Sequence, residues 1–210
     1  MGKRFWIYFL LATCCLAASP GAAKPKPSLV PLEGPAFQLD LRYATEVNFL
    51  KKNVYRDFGL DRCWVHPDLA AKLNRLAPLL EAKGLKLVLW DCWRPLAVQR
   101  AMWALVPDPR YVADPKTGSN HNRGVAVDVS LAKADGTPVE MPTAFDDFTP
   151  VAAAKAHCKP ERLSACSNRD LLFELMAQVG LRPLASEWWH FQLPNANRYP
   201  IVEAHDAKQP

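Results

Sequence analysis

The clearest pattern in the chain is an alternation at Gly124–Leu131 (GVAVDVSL), which predicts a strand with Val125, Val127 and Val129 on one face and Ala126, Asp128 and Ser130 on the other. The three valines must face the core. Leu85–Trp90 (LKLVLW) is a continuous apolar run and reads as a buried strand, ended by Asp91-Cys92-Trp93-Arg94-Pro95. Between His66 and Lys83 the period changes to that of a helix. Leu69, Leu73, Leu76 and Leu80 fall on one face, Pro67 sits in the first turn, and Gly84 can close the end. A second helix is expected over Leu96–Val106, and a third over Asn168–Gln178, capped by Ser167 and stopped by Gly180. Ser186–Leu193 (SEWWHFQL) reads as a last strand. Ala134-Asp135-Gly136 is a hairpin turn signal that makes Val139–Met141 the partner of the Asp128 strand. Residues 107–123 and 142–166 read as loops. Strands and helices do not alternate regularly, so the expected class is α+β, one domain with an antiparallel central sheet flanked by helices.

The start of the chain is patterned for export. Lys3 and Arg4 precede an apolar run from Phe5 to Ala18, and small residues follow to Gly21-Ala22-Ala23. This is the layout of a signal peptide cleaved after Ala23, and the run is short of the ~20 residues that span a bilayer. The expected organisation is a signal peptide at 1–23, a Pro-rich segment at 24–38 and one folded domain at 39–210, with no transmembrane helix in the mature chain. A periplasmic location follows. An alternative is lipid attachment at Cys14, since Leu11-Ala12-Thr13-Cys14 loosely resembles a lipobox.

Composition narrows the field. The 210 residues are 50% hydrophobic, enough for one core. The 19 prolines are about twice the usual ~5% frequency and favour a loop-rich domain. A net charge of +5 without a basic stripe argues against nucleic acid as a partner. Export implies an oxidising compartment, and the four cysteines after the leader suggest disulfides. Of three possible pairings, Cys63–Cys92 with Cys158–Cys166 is favoured: the first ties a helix start to a strand end, and the second closes a short loop.

Asp128 is the chemical anomaly. A carboxylate in the middle of a valine-rich strand is costly to bury without a cation, so either its face is wet or a partner exists. His121 precedes the strand by a short turn through Gly124, and His190 lies in the aromatic strand with Glu187 three residues before it. Two imidazoles and one carboxylate with an open fourth position are the donor set of a catalytic zinc. Glu187 is the candidate base for the attacking water. Strict alternation places Glu187 and His190 on opposite faces, so both reach one site only if Glu187 lies in the entering turn or beside a bulge. Arg94 reads either as a surface or helix-capping arginine or as a fixed cation for an oxyanion, with Asp91 orienting it. His66, His157 and His205 are weaker candidates, although His157 beside Cys158 leaves a His/Cys site conceivable.

Three segments in order, Asp91-Cys92-Trp93-Arg94-Pro95, Ser119-Asn120-His121-Asn122-Arg123-Gly124-Val125-Ala126-Val127-Asp128 and Glu187-Trp188-Trp189-His190, resemble the zinc D-alanyl-D-alanine dipeptidases. The likeness runs from about Leu39 to Leu193 and includes Tyr43-Ala44-Thr45 and Phe145-Asp146. It implies an α+β domain with one zinc ion on His121, Asp128 and His190, Glu187 as base and Arg94 as transition-state stabiliser. Tyr43, Ser119 and Asp146 match positions that line the substrate pocket, with Asp146 the counter-charge for the substrate ammonium. The implied substrate is D-Ala-D-Ala, from peptidoglycan. Cys92-Trp93 stands where the vancomycin-resistance enzymes have Gly-Tyr, and the leader departs from those cytoplasmic enzymes. The rivals are a D,D- or L,D-carboxypeptidase or endopeptidase on longer wall peptides, and a zinc-bearing binding module without catalysis. The sequence leaves the oligomeric state open.

Overall fold

A computed structural model describes residues 28–204. The expected signal peptide, Cys14 and His205 lie outside the described residues. The order of elements is β1 (Val30–Pro31), β2 (Phe37–Leu39), β3 (Trp64–Val65), α1 (Pro67–Glu81), β4 (Leu85–Asp91), α2 (Leu96–Leu105), β5 (Ala126–Lys133), α3 (Leu163–Gln178), β6 (Arg182–Leu184) and β7 (Glu187–Gln192). Five strands form the central sheet in the order β2-β4-β5-β7-β6, and β1 pairs with β3 in a small separate sheet. The fold is α+β with an antiparallel sheet as expected, except that β2 joins the edge parallel to β4. The described part of the Pro-rich segment, from residue 28, is therefore built into the domain: Phe37 pairs with Leu87, and Val30 with Val65.

The leucine stripe makes α1 an amphipathic lid over the sheet. Leu69, Leu73, Leu76 and Leu80 are wholly buried with Leu87, Leu89, Val127, Val129 and Leu131, and Leu172, Leu175 and Met176 of α3 complete that core. Phe191 of β7 meets Phe173 of α3 edge to face at 5.4 Å. A second apolar cluster joins Val98 and Met102 of α2 to Tyr43, Tyr55, Trp64 and Trp93. It fastens the loops around residues 40–60 to the end of the sheet where Asp91 lies. Both favoured disulfides, Cys63–Cys92 and Cys158–Cys166, are present.

Three local expectations change. Ser167 does not cap α3, which begins at Leu163 after a 3-10 turn at Pro160–Arg162; the Ser167 hydroxyl instead donates back to the Leu163 carbonyl at 2.9 Å. The return strand after Gly136 shrinks to a single bridge between Ala132 and Pro138, because proline has no N–H to continue a ladder. The short strand β6, with all three residues exposed, carries no alternating signal and was missed.

Gly124 turns the chain from the His121 segment into β5. Its φ is +67°, and a Cβ there would lie 2.6 Å from Leu29 Cδ2 and 3.1 Å from the His66 nitrogen. Gly124→Ala should therefore destabilise the fold by roughly 1–3 kcal/mol, read as a lower urea midpoint with an unchanged slope. A midpoint equal to the parent's would show that the turn relaxes freely.

Candidate active site and metal centre

Register across the sheet builds the site. Asp128 of β5 pairs with His190 of β7 on one side and with Asp91 of β4 on the other. Three polar side chains thus stand in a row across three adjacent strands, as opposite residues in an antiparallel ladder do. Two irregularities make the row possible. Between Leu89 and Asp91 the β4–β5 register shifts, so that Asp91 rather than Trp90 faces Asp128. Between Pro183 and Leu184 the β6–β7 register shifts, so that Leu184 pairs with Glu187 while Pro183 pairs with Phe191. Glu187 is thus the first residue of β7, directly after a turn and next to this irregularity; its Oε2 lies 3.9 Å from His190 Nδ1, and both side chains are buried.

His121 enters from a 3-10 turn at His121–Arg123. Its Nε2 lies 3.2 Å from Asp128 Oδ1 and 3.1 Å from His190 Nδ1, and His190 Nδ1 lies 3.0 Å from the same Asp128 oxygen. The other ring nitrogens are engaged. His121 Nδ1–H donates to the Cys92 carbonyl at 2.8 Å, and His190 Nε2–H donates to Gln192 Oε1 at 3.0 Å, an oxygen that also accepts from Asn120 Nδ2 at 2.7 Å. Neutral imidazoles so arranged turn two bare lone pairs and a carboxylate oxygen toward one point. Acceptors cannot bond to one another, so the arrangement asks for a cation at its centre. Tetrahedral zinc at ~2.0–2.1 Å from its ligands would hold them about 3.3 Å apart, close to the spacings found. These three residues form the one cluster of metal-ligating donors among the described residues.

Arg94 stands on the other side. Its Nε and Nη2 both reach Asp91 Oδ2, at 2.9 and 2.5 Å, and Nη1 donates to Gln99 Oε1 at 2.8 Å. Asp91 Oδ1 accepts from the Cys92 amide and from the Tyr55 hydroxyl. Arg94 is thus a buried guanidinium fixed by a buried carboxylate, with Nη2 3.8 Å from Asp128 Oδ2 and Cζ 5.2 Å from the centre of the Tyr43 ring. The surface and helix-capping readings of Arg94 do not apply.

Tyr43, Arg94, Ser119, His121, Asp128, Asp146, Glu187 and His190 all line one cleft of about 200 Å³. Trp189, Phe49 and Phe148 supply apolar wall. The Tyr43 hydroxyl donates to Asp146 Oδ1 at 2.9 Å, while Asp146 Oδ2 is buried with no hydrogen-bond partner among the described residues. Asp146 also holds a left-handed φ of 58°. Ser119 Oγ accepts the His121 amide at 3.2 Å. His157 lies beside the Cys158–Cys166 disulfide, so no His/Cys metal pair forms there. Gln99, Gln192, Asn120 and Tyr55 hold the site together and were not foreseen.

Burial, then the nearby Asp128 charge, pushes Glu187 up to about 8. Burial likewise pushes Asp146 up to about 7 against the Tyr43 hydrogen bond. At Asp128 burial acts in the same direction but is outweighed by His121 and His190, which hold it well below the usual carboxylate range.

A family profile described as D-ala-D-ala dipeptidase matches residues 27–207. The chain belongs to that family. It is 36% identical over 168 residues to a D-alanyl-D-alanine dipeptidase of Escherichia coli, covering 80% of this chain and 84% of that one. An Enterococcus faecium D-alanyl-D-alanine dipeptidase is 30% identical over 187 residues, with 76% and 89% covered. A zinc-bound vancomycin-resistance D,D-pentapeptidase aligns over 64% of this chain and 75% of its own at 16% identity with a TM-score of 0.41, too slight to argue from. Family membership makes the chain a zinc metallopeptidase, and the three-donor cluster is a site that fits the ion.

Without metal, the raised carboxyls link stability to pH. Their native pKa values exceed those of the unfolded chain, so the native site keeps protons the unfolded chain has released. The stability they contribute is full below pH ~4 and is lost as pH rises through about 7 and about 8. Chelated protein should therefore melt at progressively lower temperature from pH 5 to 8.5, and Glu187→Gln with Asp146→Asn should flatten that slope. An equal slope in the double variant would rule this linkage out.

Proposed function

We propose that this enzyme hydrolyses D-Ala-D-Ala to two D-alanines outside the cytoplasm, using one zinc ion held by His121, Asp128 and His190. The supporting observation is the convergence of three bare donor atoms between a buried carboxyl, Glu187, and a buried guanidinium, Arg94, in one small cleft. An exported domain over residues 39–210, extended by the strands that precede it, is part of this reading, and two disulfides support it. Among the described residues no helix is long and apolar enough to cross a membrane.

When bound, zinc supplies Lewis acidity toward the scissile carbonyl and makes the attacking water more acidic. Glu187 takes the proton from that water and returns it to the leaving amine. Burial raises its pKa, which favours return of the proton to the amine, and the charge of a bound zinc would favour the ionised form that takes the proton first. Arg94 is the fixed positive charge for the oxyanion, and Asp91 and Gln99 keep it from folding away. Asp146 meets the substrate ammonium through Oδ2, the oxygen without a partner, while Tyr43 steadies Oδ1. Ser119 is a wall residue of the same pocket.

Glu187→Gln should retain one zinc per chain and lose about 10²–10⁴-fold in kcat. Full activity in that variant would sink the base assignment. Asp146→Asn should raise KM for D-Ala-D-Ala far more than it lowers kcat, because its role is to bind the ammonium. Turnover should be much faster on the free dipeptide than on a pentapeptide stem. The reverse preference would favour a carboxypeptidase, and zinc binding without cleavage of either would favour a binding module.

A further inference from the structure

The Cys63–Cys92 disulfide sits closer to the chemistry than a structural staple needs to. Cys92 is the first residue beyond β4, and its carbonyl oxygen is the acceptor for His121 Nδ1. The residue before it, Asp91, holds Arg94. One peptide stretch thus orients both the metal ligand and the oxyanion cation. The strip Cys63–His66 braces that stretch from behind. Trp93 donates its amide to the Trp64 carbonyl at 2.8 Å, and His66 donates its amide to the Gly124 carbonyl at 2.8 Å, just after the His121 turn. Across the gap, the Arg94 amide donates to the His121 carbonyl at 3.2 Å and Asn122 Nδ2 donates to the Arg94 carbonyl at 2.8 Å. These bonds close a frame around His121, and the disulfide is its one covalent side.

We propose that Cys63 and Cys92 are positioning residues: their disulfide sets the Cys92 carbonyl against His121 and thereby fixes the affinity and geometry of the metal site. The carbonyl keeps the proton on Nδ1 and leaves Nε2 free as a ligand, and it sets the plane of the ring. Such partners behind a metal-bound histidine change affinity by about 10–100-fold when lost. Cutting the disulfide does not remove the carbonyl. It frees the stretch that carries it, so the loss should lie toward the lower end. The second disulfide, Cys158–Cys166, joins the loop before α3 to the helix itself and touches none of these groups, which makes it an internal control. This inference rests on His121 being a ligand, as proposed above.

The test compares the full mature parent with Cys63→Ala/Cys92→Ala and with Cys158→Ala/Cys166→Ala. Zinc affinity is read by competition with a chromogenic chelator, kcat and KM are read on D-Ala-D-Ala, and thermal melts are recorded for all three. Both variants should melt lower than the parent. Only Cys63→Ala/Cys92→Ala should bind zinc about tenfold more weakly, and at saturating zinc it should lose kcat with KM little changed. If that variant does not fold, the folded parent is reduced stepwise, and zinc release is plotted against the fraction of Cys63 and Cys92 open to alkylation. Release that tracks their opening supports the proposal. Zinc affinity within twofold of the parent, or equal losses in both variants, would overturn it. A parent that binds no zinc, or a His121→Ala variant that binds it as tightly as the parent, would overturn the ligand reading itself.

Discussion

A carboxylate and two imidazole nitrogens converge on one buried point, 3.0–3.2 Å from one another. That constraint organises this protein. Asp128 cannot be moved to solvent, because its strand neighbours Val127 and Val129 are wholly buried and the strand runs through the middle of the sheet. Neutral imidazoles cannot settle the matter as hydrogen-bond donors, because each spends its single N–H elsewhere, on the Cys92 carbonyl and on Gln192, so a positive charge must be added, as a proton on a ring or as a metal ion. The protein is shaped to receive that charge.

The rest of the site follows from keeping that point fixed while leaving one side open. Asp91, next in the row across the sheet, is satisfied by Arg94, Tyr55 and its neighbour's amide, so it does not compete for the metal. Arg94 in turn is spent on Asp91 and Gln99, which holds its charge near the metal without letting it pair closely with Asp128 at 3.8 Å. Glu187 comes from the opposite side, next to a register shift. The sheet supplies rigidity through its ladders, and its two irregularities supply the departures from regular geometry that chemistry needs.

Much of this was legible in the chain. The alternation of GVAVDVSL made Asp128 an anomaly, and the spacing of His190 and Glu187 asked for an entering turn or a bulge at Glu187; Glu187 opens β7 directly after a turn, next to a register shift. The helices α1 and α2 could be read almost to their ends. What could not be read has a common cause. A register shift is a property of two strands together, so the row Asp91–Asp128–His190 is invisible in any one of them. Gln99 and Gln192 act at a distance in sequence and have no motif of their own, and the partner of His121 is a backbone carbonyl, which every residue has. The edge strands β2 and β6 are too short for a period to show, and Ser167 looked like a cap because a helix start at Leu163 has no capping side chain.

The Asp146 corner argues for a short substrate. Its backbone is held in the left-handed region, which costs an aspartate roughly 1–3 kcal/mol, and its carboxyl is buried with one oxygen unpartnered. The Tyr43 hydroxyl reaches only the other oxygen, and the Phe49 amide and the Arg94 charge favour the carboxylate without overcoming its burial. A free ammonium arriving at Oδ2 would answer the second of these features, since the positive charge would lower the carboxyl's pKa and supply the missing donor. An amide nitrogen in the same place, as in a longer peptide, brings one hydrogen bond and no charge, and leaves a buried carboxylate unneutralised. On the proposed reading, the discrimination between a dipeptide and a stem peptide is therefore electrostatic before it is steric, and it resides in a residue that does not touch the bond being cut.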